Sequence, residues 1–269
     1  MNFTYGDFIL TIDNVSLSFG DKLILRDINV KLKDIIRDST TGQVITLIGP
    51  SGIGKTQLLK MIAGLQAPTS GEIKIGLKQE APQAGKVGMV LQTYPLFEHR
   101  TVISNLNLVS KDKDRIEYLL NHFDVYQHKN KYPCQLSGGQ RQRTAIVQQI
   151  LSSDNFILLD EPFSGLDPLA TRKLSLAIRK LADLKDENTI ILSSHIFPPA
   201  LAVSDTAIML NCEYIKDTEA FGGETRKVEG ATITGYYDLI SMGLAWNENI
   251  REDARFLALC NQIENEFFK

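Results

Sequence analysis

Cysteine is scarce in this 269-residue chain: Cys134, Cys212 and Cys260 are its only three. They are isolated, odd in number and form no Cys-x-x-Cys pair, which argues against a disulfide framework and for a reduced compartment. No stretch approaches the ~18–20 consecutive apolar residues of a membrane span. Met1 to Leu10 lacks a cationic segment followed by an apolar one, so no secretory leader is expected. A basic excess is also missing. Lys and Arg number 29 against 32 Asp and Glu, a formal net charge of -3, and this removes the electrostatic footprint of a nucleic-acid binder. Internal repeats and low-complexity tracts are absent. What remains, 43% hydrophobic and 23% charged residues in one domain's length of chain, can bury a real core. A cytoplasmic chain is expected, and any membrane it serves would be spanned by another chain.

The first part alternates in period two. Phe8, Leu10 and Ile12 are followed by Val15, Leu17 and Phe19 in the other register, and Ile24 to Leu32 continues towards Gly42. Strands are expected there, with a polar loop over Lys33 to Thr41. From Val44 the pattern changes to short apolar runs separated by helical stretches: Val44 to Ile48, Val87 to Leu91, Phe156 to Leu159 and Thr189 to Leu192. Runs of this kind suit parallel strands buried on both faces. Each ends beside a chemically useful residue: a glycine loop after Ile48, then Gln92, Asp160 with Glu161, and His195. Ligands of open α/β sheets bind outside the carboxyl ends of the strands, so four runs point at one site.

Gly49-Pro50-Ser51-Gly52-Ile53-Gly54-Lys55-Thr56 follows a predicted strand and opens a predicted helix, and Gln57 continues the phosphate-binding set. Glycines let backbone N–H groups curl around phosphate oxygens, and the helix N-terminus adds partial positive charge. Lys55 can reach the β- and γ-phosphates, and the Thr56 hydroxyl can ligate Mg²⁺. Phe156 to Glu161 delivers two adjacent carboxylates. Asp160 suits the Mg²⁺ partner, and Glu161 the residue that polarises an attacking water. Leu136-Ser137-Gly138-Gly139-Gln140 places an N-capping serine and two glycines before a further helix, a second end open to an anion. Arg141 and Arg143 behind it read as solvated helix-surface charges.

These motifs together resemble the nucleotide-binding subunit of ABC transporters, over roughly residues 8–210. Leu136 to Gln140 matches that family's signature sequence, Gly49 to Thr56 its Walker A, and Phe156 to Glu161 its Walker B and catalytic glutamate. By the same resemblance Gln92 falls at the Q-loop, with catalytic and metal-binding parts. Ser164 to Asp167 falls at the D-loop, so that Asp167 contacts nucleotide. His195 falls at the switch histidine, and Phe19 at an aromatic that stacks on adenine. The resemblance implies an α/β P-loop NTPase core of RecA type, with an antiparallel β subdomain and an inserted helical subdomain. It implies ATP and Mg²⁺ as cofactors and ATP hydrolysis coupled to transport. Two cassettes, identical or paralogous, would meet head to tail, so that Ser137, Gly138, Gly139 and Gln140 serve the partner's nucleotide. Separate transmembrane subunits are implied as partners, as in bacterial importers, with this chain peripheral on the inner face of the cell membrane. Nucleic acid is not an expected partner.

The cassette is expected over 1–210, its helical subdomain at about 93–151, and a C-terminal extension over 211–269. Two departures stand out: the long Lys33 to Thr41 stretch, and Ile196-Phe197-Pro198-Pro199 after His195, where many importers carry an acidic residue. In the extension, Phe256, Cys260, Ile263 and Phe267 recur at helical spacing. That helix would pack on its own cassette or present a docking surface, and the nucleotide site is expected to survive its removal because every motif lies earlier. The alternative function is a soluble ATPase of the same fold, for example in cluster assembly. The interval from Thr56 to Leu136 is too short for the coiled coil of DNA-repair relatives.

Overall fold

The computed structural model describes residues 2–38, 41–153, 155–216, 225–247 and 249–267. Two long strands come first, β1 (Phe3–Phe19) and β2 (Lys22–Arg37), paired antiparallel. Then follow β3 (Gln43–Ile48), α1 (Lys55–Ile62), β4 (Ser70–Ile75), β5 (Gly88–Val90), α2 (Val102–Leu106), α3 (Lys113–His122) and α4 (Gly138–Ser152). The remainder alternates β6 (Phe156–Leu159), α5 (Pro168–Ala182), β7 (Thr189–Ser194) and α6 (Phe197–Leu201), then runs β8 (Thr206–Lys216), β9 (Thr225–Asp238) and α7 (Ala254–Phe267). Among the described residues nine strands form one sheet in the order β4-β1-β2-β9-β8-β3-β7-β6-β5. Its β8-β3-β7-β6-β5 half is parallel, and β4-β1-β2 is antiparallel. This is the α/β arrangement expected from the sequence.

The continuous apolar runs are explained by burial on two faces. Successive residues of the central strands enter different cores: Val44, Ile157, Leu159, Ile190 and Leu192 pack with α2 to α5. Ile45, Leu47, Leu158 and Ile191 pack with α1 and the antiparallel strands. α2, α3 and α4 occupy the stretch read as helical from about 93 to 151, with α4 ending at Ser152.

Two boundaries differ from expectation. β2 continues to Arg37, so the polar stretch from Lys33 is strand before it is loop. Alternation explains it: Ile35 is buried, and Arg37 carries its guanidinium inward to a fully buried ion pair with Asp205. Asp205 also accepts from Val44 N at 2.9 Å and from the Trp246 indole N–H at 2.7 Å, tying β2 to the starts of β3 and β8. Polar residues here are paired rather than solvated, which a hydropathy pattern does not reveal.

The second concerns residue 210. β8 runs through it, and β9 inserts between β8 and β2, pairing Ala231 with Leu25. α7 then buries Phe256, Leu259 and Ile263 in one cluster with Leu201, Met209 and Ile48, the last residue before the glycine loop. Phe267 meets Phe197 at 5.7 Å between ring centroids, so the unusual Phe197-Pro198-Pro199 segment and the tail helix share a contact. The nucleotide site is expected from the sequence to survive loss of 211–269; that loss would take β9 from between β8 and β2 and uncover Ile48 beneath α7. Ile263, 0% exposed, tests this directly. Ile263→Ala should lower the unfolding free energy by about 2–5 kcal/mol, read by urea denaturation. An unchanged midpoint would mean that α7 is not part of the core.

Candidate functional site

The site is assembled at the carboxyl end of the parallel strands. Register pairs Ile48 with Ser194, Leu159 with Leu192 and Val90 with Leu159, so β3, β5, β6 and β7 end close together. Beyond β3, the loop Gly49 to Gly54 leads into α1. Its glycines answer local demands. A Cβ on Gly49 would lie 2.4 Å from the Leu210 carbonyl oxygen, and Gly54 has φ +117 with Leu25 packed where its Cβ would stand. No side chain caps α1; Gln57 N donates to the Gly54 carbonyl at 3.0 Å, which leaves the Lys55 and Thr56 N–H groups open to an anion. Pro50, Ser51, Gly52, Ile53, Thr56 and Gln57 are exposed or half-buried around this turn.

Lys55 is 4% exposed and folds back over its own loop. Its Nζ donates to the Gly49 and Pro50 carbonyls at 2.8 and 2.9 Å, and pairs with Glu161 Oε1 at 2.9 Å. The other Glu161 oxygen, Oε2, accepts from His195 N at 3.2 Å and lies 2.8 Å from His195 Nδ1. Thr56 Oγ1 donates to both Asp160 oxygens, at 3.0 and 2.9 Å. Lys55, Thr56, Asp160, Glu161 and His195, drawn from three strand ends, are thus brought into one hydrogen-bonded cluster.

Asp160 and Glu161 face different partners, but not through strand alternation. β6 ends at Leu159, and Glu161 takes the left-handed conformation at φ 48. That is an uncommon conformation for a residue with a Cβ. Ser193, which sequence reasoning missed, holds the turn. Its hydroxyl donates to Asp160 Oδ1 at 2.8 Å and accepts from Glu161 N at 2.9 Å. Its position near the end of β7, two residues before His195, was the available signal. Burial works against the charge on Glu161, yet Lys55 and His195 hold its carboxyl below the usual carboxylate range.

The oxygen donors present suit Mg²⁺. Thr56 Oγ1 and the Asp160 carboxylate are hard oxygens already converged within hydrogen-bond distance. Among the described residues no cluster of three His, Cys, Asp or Glu side chains could cage a metal alone. A cation that keeps waters and shares substrate phosphates fits such a pair. Gln92 lies two residues beyond β5 on the same sheet edge, exposed and not bonded to the cluster. Phe19 closes β1 beside Lys22 and is 51% exposed, so it is not a core residue.

The remaining residues singled out in the sequence lie apart. Ser137, Gly138, Gly139, Gln140 and Asp167 line a separate recess of roughly 350 Å³, which includes none of Gly49 to Gln57. Ser137 Oγ accepts from Gln140 N at 3.3 Å, and Gln140 Oε1 accepts from Ser137 N at 2.9 Å, a capping box at the start of α4. The two arginines behind it are not the solvated charges expected. Arg141 pairs with Glu98 and reaches the Tyr94 carbonyl, while Arg143 is half-buried and donates through Nε to the Phe123 carbonyl at 2.9 Å.

A family model described as ABC transporter matches residues 32–164. The sulfate/thiosulfate import ATP-binding protein CysA of Gloeobacter violaceus is 37% identical over 213 residues, 75% of this chain and 60% of that protein. The sn-glycerol-3-phosphate import ATP-binding protein UgpC of Ruegeria pomeroyi is 34% identical over 224 residues, 79% of this chain and 61% of that protein. The chain thus spans about three fifths of the length of the curated relatives it matches. A solved structure described as the ATP binding subunit of an ABC transporter superposes with a TM-score of 0.68 at 21% identity, covering 97% of this chain and 100% of that one. Another, cbiO1 from Clostridium perfringens, described as part of the ABC transporter complex cbiONQ, gives 0.69 at 20% identity over 97% of this chain and 100% of its own. Both structural likenesses concern the fold.

Proposed function

This chain belongs to the ABC transporter family, and we propose from that premise that it binds and hydrolyses ATP to energise transport through separate transmembrane subunits. The observation that carries the reading is the joined cluster of Lys55, Thr56, Asp160, Glu161 and His195 at the open end of α1. Its place would be the inner face of a membrane, beside those subunits; no helix among the described residues is long and apolar enough to cross one.

Each residue has a part that its surroundings support. The loop N–H groups and Lys55 would hold the phosphates. Thr56 and Asp160 would hold Mg²⁺, with Gln92 at the end of the adjacent strand, and the ion supplies neutralising charge to the phosphate oxygens. A phosphate in the loop competes with Glu161 for Lys55, so nucleotide binding would release this carboxylate to orient and deprotonate water. Ser193 keeps it aimed through the backbone, and His195 remains its hydrogen-bond partner. Phe19, exposed at the end of β1, offers a ring face for the base.

The recess at Ser137 serves a nucleotide held by a second cassette, because it shares no lining with the chain's own phosphate loop. Ser137→Arg tests this arrangement, since a long cation would fill the recess. Affinity for ATP should change less than about twofold, while hydrolysis by a population of this variant alone should fall by roughly 10²–10³, measured by phosphate release. Normal turnover by the variant would reject the head-to-tail reading.

A further inference from the structure

His128 lies in the short turn Tyr126–His128, outside every motif of the sequence, yet its ring reaches the first turn of α4. Its Nε2 is 2.9 Å from Gln140 Nε2. The protonation state follows from a chain of donors. The Ser137 N–H can only donate, so the Gln140 carboxamide must face it with Oε1, at 2.9 Å. Gln140 therefore presents its NH₂ group to His128, and His128 Nε2 must accept. The imidazole is then neutral, with its proton on Nδ1, which is buried without a partner.

The turn that carries His128 is itself fixed. His128 N donates to the Val125 carbonyl at 2.9 Å, Lys131 N donates to the His128 carbonyl at 2.9 Å, and the Lys129 and Lys131 carbonyls accept from Ile103 and Val102 at the start of α2. We infer that His128 is a positioning residue for the Ser137 recess: as a neutral acceptor it locks the Gln140 carboxamide, and the carboxamide locks the Ser137 end of α4. This rests on the proposed role of that recess towards a second cassette's nucleotide.

A charged imidazolium would undo the lock. Both ring nitrogens would then be donors, and turning the Gln140 carboxamide to satisfy Nε2 would set its NH₂ against the Ser137 N–H. The charged groups facing the ring are Lys131, on its own turn, and Arg143, from α4; both are positive. Burial and these two cations hold the imidazole below its usual value. Protonation, and with it loss of the lock, therefore comes only as pH falls beneath the ordinary histidine range of about 6.5.

Three variants of the full chain separate the outcomes. His128→Gln keeps an acceptor near the same place but does not titrate; His128→Phe keeps the ring's bulk without an acceptor. ATP hydrolysis is followed between about pH 5 and 8. At neutral pH, His128→Phe should lose about tenfold in kcat, the scale of one lost buried hydrogen bond, with KM for ATP nearly constant, and His128→Gln should recover most of that loss. Relative to wild type, His128→Gln should also hold its rate further into acid; His195 is common to both proteins and cancels in the comparison. A His128→Phe rate equal to wild type, or superimposable pH profiles for wild type and His128→Gln, overturns the inference.

The third variant needs no turnover. The chain has four histidines, and the His128 resonance is the one missing from the NMR spectrum of His128→Gln. In Gln140→Ala that resonance should titrate at higher pH than in wild type, because the donor that favours the neutral ring is gone. An unmoved titration overturns the inference even if the enzyme is active. A moved titration in a protein that does not hydrolyse ATP overturns the proposed function and leaves the His128–Gln140 coupling standing.

Discussion

Glu161→Gln should hydrolyse ATP about 10²–10⁴-fold more slowly than wild type, the usual cost of losing a general base and about 3–5 kcal/mol of barrier. The amide keeps the shape of the carboxylate, and the φ of 48 imposed at this position is no harder for Gln than for Glu. What disappears is the charge that Lys55 and His195 stabilise. Lys55, Thr56 and Asp160 stay in place, so ATP should still bind. Affinity should rise, because Glu161 no longer competes for Lys55 and one negative charge near the phosphates is removed. In the proposed sandwich of two cassettes, a variant that binds without hydrolysing accumulates as an ATP-bound dimer. Size-exclusion chromatography with light scattering, run with ATP and Mg²⁺, reads the state directly. Wild-type turnover in the variant would show that Glu161 is not the base, and a variant that binds ATP but elutes as a monomer would show that pairing needs the membrane subunits.

The acid limit of kcat/KM, which reports the enzyme before nucleotide binds, follows from the same carboxylate. Its folded-state value lies below the ordinary one despite burial, so the interaction with Lys55 and His195 is fully present above the usual carboxylate range. It is lost as pH falls through the lower, folded value. The part of the acid limb that belongs to Glu161 should therefore sit below about 4.3.

Lys55→Ala should abolish measurable hydrolysis and weaken ATP binding by about two orders of magnitude. A buried cation that bonds phosphate is worth about 1.5–3 kcal/mol per charge-assisted hydrogen bond, and this one has no substitute in the loop. The damage goes further than the phosphate contact. Lys55 also clamps the Gly49 and Pro50 carbonyls, so its removal leaves those oxygens without their donor and the loop without its internal tie. Glu161 would lose its main counter-charge, and its carboxyl should shift upward. Isothermal calorimetry with ATP decides the matter: unchanged affinity would remove Lys55, and with it the loop, from the binding site.

The phosphate loop, the paired carboxylates and the Ser137 turn were legible in the sequence because their chemistry is local. A glycine-rich turn between a strand and a helix, or a carboxylate pair after an apolar run, is specified by consecutive residues. The parallel half of the sheet was legible for a related reason: strands buried on both faces must be apolar throughout, as Val44 to Ile48 and Thr189 to Leu192 are. The extent of β2 and the role of the tail were not. Arg37 and Asp205 look like surface residues until the fold brings them together, and the tail helix reads as amphipathic without saying which core receives it. Ser193 and His128 carry no motif at all. Each acts by holding another residue, Glu161 through its backbone and Gln140 through its carboxamide, across 32 and 12 positions of sequence. The sequence by itself determined which groups could do chemistry on a phosphate, because that is written in residue type and short spacing. Only the tertiary structure decided which of them share a cluster, which face a separate recess and what aims them, because those contacts depend on hydrogen bonds closed between strand ends and turns that lie far apart along the chain.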